Sequence, residues 1–363
     1  TNQFTNGPKV RQFENEWSKW LGCKHSLYVS SGSTANLLLL AAIKERYGLK
    51  DGDKVLVPAC TWVTNIAPVI QCGFTPIFCD VNGTNYSFDP DHVLEIARKH
   101  PDIKIVFISH LLGYTADNDF YQKAFPNALI LDDVCESHGC LDKDGTKIGS
   151  NSVGATFSFY FGHHMTTIEG GFVCTNDDKL YSIMRAKRSH GMAREMPPED
   201  FEQAKKDWPE VNPLFLFITE GYNVRNHEIC AVLGLSQIKR LDDQIAQRRK
   251  NFHEFNAVLR KYGNEHFYLG SDSDVNTCYA FPIVTKDKAF YTRLVDNLHA
   301  AGVETRPIVG GNLLKQPFLQ AYKIEPGGKG FVNEIHEKGL YIGNNHFVGS
   351  EEMPTSSWAV VSV

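Results

Sequence analysis

Between Asp53 and Asp133 short β-branched and apolar runs recur with helical stretches between them, and this alternation restricts the fold more than any other feature of the chain. The runs are Lys54 to Val57, Thr75 to Cys79, Ile103 to Ile108 and Ala128 to Leu131. Continuous apolar runs of this length, separated by helices, predict parallel strands buried on both faces. The stretch Asp89 to Lys99 opens on Asp-Pro, which caps and starts a helix. The pattern therefore predicts an α/β fold with a mostly parallel central sheet. After Ser236 the texture changes to a long polar helix, Gln237 to Lys261, with Ile238, Leu241, Ile245 and Phe252 at helical spacing. A strand from Tyr279 to Thr285 and a helix from Ala289 to Ala301 follow. The expected division is a large α/β domain over residues 1–236 and a small α+β domain over 237–363. Glu195 to Glu210 reads as a solvated loop or helix.

Composition narrows the partner. A net charge of −5 with 22% charged residues offers no basic footprint, which argues against nucleic acid or an anionic membrane. The longest apolar stretch, Leu37 to Ile43, is far short of the roughly 20 residues that span a bilayer, and the first residues are not signal-like. Nine cysteines, an odd number without C-x-x-C spacing, suit reduced thiols in the cytoplasm and give little support to zinc or iron–sulfur sites. A small molecule is the expected ligand.

In parallel sheets ligands collect beyond the carboxyl ends of the strands, and the residues there are rich in chemistry. Val29-Ser30-Ser31-Gly32-Ser33-Thr34-Ala35-Asn36 reads as a small-residue turn opening a helix. It would make either an anion site built from free amides and hydroxyls or simply a serine N-cap. Leu129 to His138 ends a strand on two adjacent acids, Asp132 and Asp133. Strand alternation lets only one of them face a pocket, where a buried carboxylate needs a cationic partner. The alternatives are an aspartate N-cap or a metal cluster of Asp132, Asp133, Glu136 and His138. The third segment runs Thr156-Phe157-Ser158-Phe159-Tyr160-Phe161-Gly162-His163-His164-Met165-Thr166-Thr167-Ile168-Glu169-Gly170-Gly171.

That segment resembles the active-site stretch of the DegT/DnrJ/EryC1/StrS sugar aminotransferases, fold-type I enzymes that use pyridoxal 5'-phosphate. In the family a lysine between the Ser-Phe segment and the Thr-x-Glu-Gly-Gly turn tethers the cofactor; here His163 takes its place. Imidazole cannot make that covalent tether but can shuttle protons near neutral pH. The exchange resembles the family's 3-dehydratase branch, which binds pyridoxamine 5'-phosphate without a covalent bond. Four further stretches support that branch: Gly221-Tyr222-Asn223-Val224-Arg225, Arg188-Ser189-His190-Gly191, Arg306 to Asn312, and Gly339 to Asn344. The similarity covers nearly the whole chain. No Cys-x-Cys pair is present, which points away from the sister branch that carries a two-iron, two-sulfur cluster.

The resemblance implies a cytoplasmic lyase of deoxysugar biosynthesis for a surface polysaccharide. It would remove the C3 hydroxyl of a nucleotide-linked 4-keto sugar such as GDP-4-keto-6-deoxymannose, or of a related hexose or heptose, with glutamate restoring the amine form of the cofactor. Gly32, Ser33 and Ser158 would hold the cofactor phosphate, Trp62 would stack on its ring, Asp133 would pair with the ring nitrogen, and Glu136 would approach the ring hydroxyl. Asn223 would reach the phosphate from the neighbouring subunit of a homodimer with shared active sites. His163 would be the catalytic acid and base, and Arg188, His190, Arg225 and Arg306 would contact substrate. An aminotransferase with an unusual base and an inactive ligand-binding relative are the competing readings; Trp62 as a core aromatic competes with the stacking role. The sequence starts well after the family's usual first residue, so an opening helix is expected to be missing. The tail Pro354 to Val363 lacks the family's amphipathic closing helix.

Overall fold

The four apolar runs fold as neighbouring strands. The computed structural model describes residues 4–262, 265–323 and 328–347 and contains a seven-stranded sheet. Its strands are β1 (His25–Val29), β2 (Lys54–Pro58), β3 (Thr75–Cys79), β4 (Ile105–Ser109), β5 (Leu129–Asp133), β6 (Gly154–Ser158) and β7 (Gly171–Thr175). Their order is β1-β7-β6-β5-β4-β2-β3. The block from β6 to β3 is parallel, whereas β7 runs antiparallel to both β6 and β1. The sequence does not foretell the reversed strand, because a strand buried on both faces reads the same in either direction. The carboxyl ends of β1, β2, β4, β5 and β6 and the start of β7 consequently share one rim.

Two helices fix that rim. Helix α1 (Pro8–Leu21) buries Val10, Phe13, Trp17 and Leu21, a stripe at helical spacing. Trp17 stacks on Phe172 at 5.3 Å and meets Phe157 edge-on at 5.1 Å and Phe159 at 4.9 Å. This aromatic cluster anchors the ends of β6 and β7, and truncating Trp17 to alanine would cost about 3–5 kcal/mol. Helix α2 (Gly32–Arg46) follows β1 and buries Leu38, Leu39, Leu40, Ala42 and Ile43 against the sheet. The helix expected after Asp89 runs Pro90–Lys99, and the Asp89 carboxylate caps the His92 amide at 3.0 Å.

A second, antiparallel sheet has the order β10-β11-β9-β8. Its strands are β8 (Phe267–Tyr268), β9 (Ala280–Thr285), β10 (Thr305–Pro307) and β11 (Gly339–Gly343). The helix Lys288–Ala300 matches the expected one within a residue at each end. The long helix differs: a 3₁₀ turn, Ile238–Arg240, precedes α-helix Leu241–Tyr262. Phe252, Phe255 and Leu259 of that helix share a core with Phe281, Leu294 and Leu298, and with Ala59 and Cys60 just past β2. The second sheet therefore packs at the rim. The segment Glu195 to Glu210 contains helix Pro198–Asp207. The tail Pro354 to Val363 lies outside the described residues. Among the described residues no helix is long and apolar enough to cross a membrane.

Candidate active site

Asp132 and Asp133 end β5 and diverge as strand alternation requires. Asp132 accepts from the Nε2 side of His110 at 3.0 Å and from Asn118 Nδ2 at 2.9 Å. Asp133 is buried on the other side, where Asn36 Nδ2 donates to it at 2.8 Å and Asn65 Nδ2 at 3.4 Å. The Thr156 hydroxyl donates to Asn36 Oδ1, which orients the Asn36 amide toward the carboxylate. Among the described residues no lysine or arginine pairs with Asp133. A buried carboxylate held only by neutral donors is arranged to receive a cation. The metal alternative needs Asp132 and Asp133 on one side, and among the described residues no cluster of three or more potential ligands is placed to hold an ion.

Beside Asp133 the start of α2 meets the end of β6. Ser31 is the N-cap: its hydroxyl accepts from the Thr34 amide at 3.1 Å, and Thr34 Oγ1 accepts from the Ser31 amide at 3.0 Å. The Gly32 and Ser33 amides come earlier in the turn and have no intrahelical partner. A Cβ on Gly32 would lie 2.6 Å from Ser158 Cβ and 3.0 Å from Cys135 Sγ, so only glycine lets the turn approach β6 this closely. The cap and anion readings of this segment are compatible, because the capping hydroxyl is Ser31 while the open amides belong to Gly32 and Ser33, in the turn that lies against Ser158. Gly170, at φ +159°, turns the chain into β7 and is hemmed by Thr167, Tyr28 and Asn226. Asn226 ties the turn down by donating to Val29 O at 3.0 Å and Glu169 O at 3.2 Å.

Trp62 follows β2 and is 56% exposed, which removes the core-aromatic reading. Glu136 is half-buried and accepts from the Leu112 amide at 2.9 Å. Burial pushes its carboxyl up to about 7, against the pull of that amide, and Asp133 adds to the rise.

His163 lies in a turn closed by its amide donating to Tyr160 O at 3.1 Å. The turn brings both His163 and His164 to His138, with ring centroids at 6.1 and 5.3 Å, and to Tyr279 at 5.8 and 5.9 Å. Adjacent residues in an extended segment would have pointed apart; this segment is not extended. Burial, with a smaller push from the Arg248 charge, lowers His163 to about 4, so the imidazole is neutral near pH 7. Its Nδ1 has no hydrogen-bond partner. His164 is buried, is also held low by burial, and its Nε2 side faces Thr277 O at 3.3 Å. Arg248 is buried and donates to Tyr279 O at 3.3 Å and to Asn344 O.

The residues expected to contact substrate, together with Asn223, expected at the cofactor phosphate, fall in three places. Asn223 and Arg225 lie on a segment that bridges Ser189 and Val29 respectively, and His190 beside it donates its amide to Tyr222 O at 2.7 Å. Arg306 is on β10, opposite Tyr341, with its guanidinium paired to Glu304 at 2.9 Å. Arg188 requires a correction. It is buried, and its Nη1 donates to Glu14 Oε1 and Tyr28 O, both at 2.8 Å, while Glu14 Oε1 accepts the Tyr28 amide at 2.9 Å. β1 is the edge of the sheet, so this ion pair supplies the bonds that a neighbouring strand would otherwise provide. Arg188 therefore ties α1 to the edge strand. Asn65, Arg248 and Tyr279 join the site without having been read from the sequence as site residues. Asn36 and His138 sit in stretches already singled out, Asn36 one helical turn after Gly32 and His138 there only as a possible metal ligand.

Residues 1–342 match the DegT/DnrJ/EryC1/StrS aminotransferase family. The chain is 34% identical to the GDP-4-keto-6-deoxy-D-mannose 3-dehydratase of Yersinia pseudotuberculosis, over 97% of this chain and 91% of that protein. It is 29% identical to the GDP-perosamine synthase of Caulobacter vibrioides, over 83% and 76%. Its structure resembles that of the E. coli GDP-4-keto-6-deoxy-D-mannose-3-dehydratase with bound hydrated pyridoxal phosphate, with a TM-score of 0.87, 29% identity, and 99% and 93% of the two chains covered. With the fold and the match running through nearly all of its described length, the chain belongs to the DegT/DnrJ/EryC1/StrS aminotransferase family.

Proposed function

We propose that this chain is a 3-dehydratase of a nucleotide-linked 4-keto-6-deoxy sugar, GDP-4-keto-6-deoxymannose or a related hexose or heptose, with glutamate as amino donor. The observation that carries the reading is His163: a neutral imidazole with an unpartnered Nδ1 at the position where the family's transferases keep a lysine. The donor set at the rim, with Asp133 held only by neutral groups, suits pyridoxamine or pyridoxal 5'-phosphate. The Gly32 and Ser33 amides and the Ser158 hydroxyl would take its phosphate, Asp133 its protonated ring nitrogen, Trp62 the ring face and Glu136 the ring hydroxyl. Bound there, the cofactor supplies the amine that joins the sugar ketone and a ring that accepts electrons. His163 would take up the proton at the cofactor C4′ carbon and supply one to the departing C3 oxygen. Asp133 would keep the ring nitrogen protonated.

A homodimer completes the site in this proposal. Helix Glu228–Gln237 packs Gly234 against Phe13 and leaves Ile229, Val232 and Leu233 exposed, an apolar stripe at helical spacing. A second copy covering that stripe would bring Asn223 to the partner's phosphate. Arg225, His190 and Arg306 remain proposed substrate contacts, residues 1–236 and 237–363 the proposed domains, and the nine free cysteines support a cytoplasmic setting. Borohydride treatment of the cofactor-loaded enzyme, followed by peptide mass spectrometry, tests the His163 reading. No lysine should carry a reduced cofactor adduct; an adduct on any lysine contradicts it.

A further inference from the structure

The outer edge of β1 carries a second polar cavity, of about 600 Å³, between α1, the helix Asp178–Arg188 and the segment around Arg225. None of Gly32, Asp133, Ser158 and His163 lines it, although Arg225, the proposed substrate contact, stands at its border. Its lining brings six formal positive charges (Arg11, Lys24, Arg185, Arg188, Arg194 and Arg225) against only two negative, Glu14 and Glu195, on a chain whose net charge is −5. Both acids are already engaged: Glu14 by Arg188 and the Tyr28 amide, Glu195 by Asn6 Nδ2 at 2.9 Å. Among the described residues none of Arg11, Arg185, Arg194 and Arg225 reaches a carboxylate; Arg11 donates to Asn6 O, Arg194 to Leu214 O, and Arg225 to Asn223 Oδ1. Arg185 rests over the Tyr181 ring, 5.7 Å from its centroid.

Two buried donors in the cavity have no acceptor, Nε of Arg185 and Nε of Arg188, and the Arg188 side chain is 97% buried. The favourable end of the helix dipole accounts for placing Arg185 and Arg188 in a last turn. It does not account for buried unpaired donors, which cost free energy until something accepts from them, nor for Arg11, Arg194 and Arg225, which come from other segments. The volume is that of a small-molecule site.

We infer that this cavity is a binding site for a phosphate or diphosphate group, held by Arg185 and Arg188 from within and by Arg11 and Arg194 at its mouth. Guanidinium groups suit such oxygens because they bind them through paired donors. Calorimetric titration of the cofactor-loaded enzyme with pyrophosphate at low salt tests the site. Saturable binding is expected, weakened about tenfold or more by Arg185→Gln and by Arg11→Gln, since each removes one charge-assisted contact, while cofactor affinity and turnover stay at the parent level. Orthophosphate and GDP distinguish the source. Binding of GDP that is tighter than pyrophosphate and equally sensitive to both substitutions assigns the site to a nucleotide; equal binding of pyrophosphate and GDP assigns it to the phosphates alone. Absence of saturable binding, or both variants binding pyrophosphate like the parent, overturns the inference.

Discussion

The rim around Asp133 and the outer face of helix Glu228–Gln237 treat exposure in opposite ways. At the rim, polar groups are buried and held by neutral neighbours, with Thr156 orienting Asn36 and Asn36 orienting the Asp133 carboxylate. On the helix, the large apolar side chains of Ile229, Val232 and Leu233 are exposed instead. The first arrangement suits a small charged ligand; the second is the face that the proposed homodimer would cover. In the proposed homodimer the two regions are coupled, because covering the apolar face is what brings Asn223 to the partner's site.

The largest expected effect belongs to the rim. His163→Asn should lower turnover by about 10²–10⁴, the contribution of a positioned proton-transfer group, while cofactor binding is retained because phosphate, ring and nitrogen contacts lie elsewhere. Stopped-flow and equilibrium cofactor titrations read the two quantities separately, and equal losses in both would blur the comparison. Next is the helix. Ile229→Asp should shift the dimer to monomer, weakening association by at least about 2 kcal/mol if Ile229 is central, as sedimentation equilibrium would register. Asn223→Ala should then weaken cofactor affinity without dissociating the dimer; unchanged affinity would confine Asn223 to its own chain.

Trp62→Ala is smaller in effect. Loss of an aromatic stack removes about 0.5–1.5 kcal/mol from cofactor binding, whereas thermal stability should barely change because the ring is exposed. A drop of several degrees in Tm would mean that the indole packs in the core after all.

The smallest effect concerns pH. His163 is held to about 4 against an ordinary 6.5, so between pH 6.5 and 4 the unfolded chain takes up the proton first, and the folded state loses stability as pH falls. Glu136 works in the opposite sense. Raised from 4.5 to about 7, it keeps its proton when folded, and its contribution is lost as pH rises through that window. Tm of cofactor-free His163→Asn should therefore fall less between pH 7 and 5 than that of the parent; an equal fall would deny His163 its buried, neutral state.

Much of this was legible in the sequence where the signal is local. β2 to β5 announced themselves by apolar run length, and the split between Asp132 and Asp133 followed from alternation alone. Long-range geometry was not legible. Arg188 looked like a substrate contact because nothing in its own segment tells that β1 is an edge strand whose Tyr28 amide and carbonyl need partners from α1 and the helix Asp178–Arg188. The meeting of His138 with His163 and His164 depends on a turn at Tyr160 to His163 that period-based reading cannot place. Arg248 reaches Tyr279 and Asn344 from a helix whose sequence reads simply as polar.

Product analysis tests the central claim most directly. The enzyme, incubated with GDP-4-keto-6-deoxymannose, glutamate and pyridoxal phosphate, should yield a nucleotide sugar that has lost its C3 oxygen and gained no nitrogen, by mass spectrometry of the intact product. A product with the C3 oxygen retained and an amino group at C4 would make the chain a transferase and contradict the account.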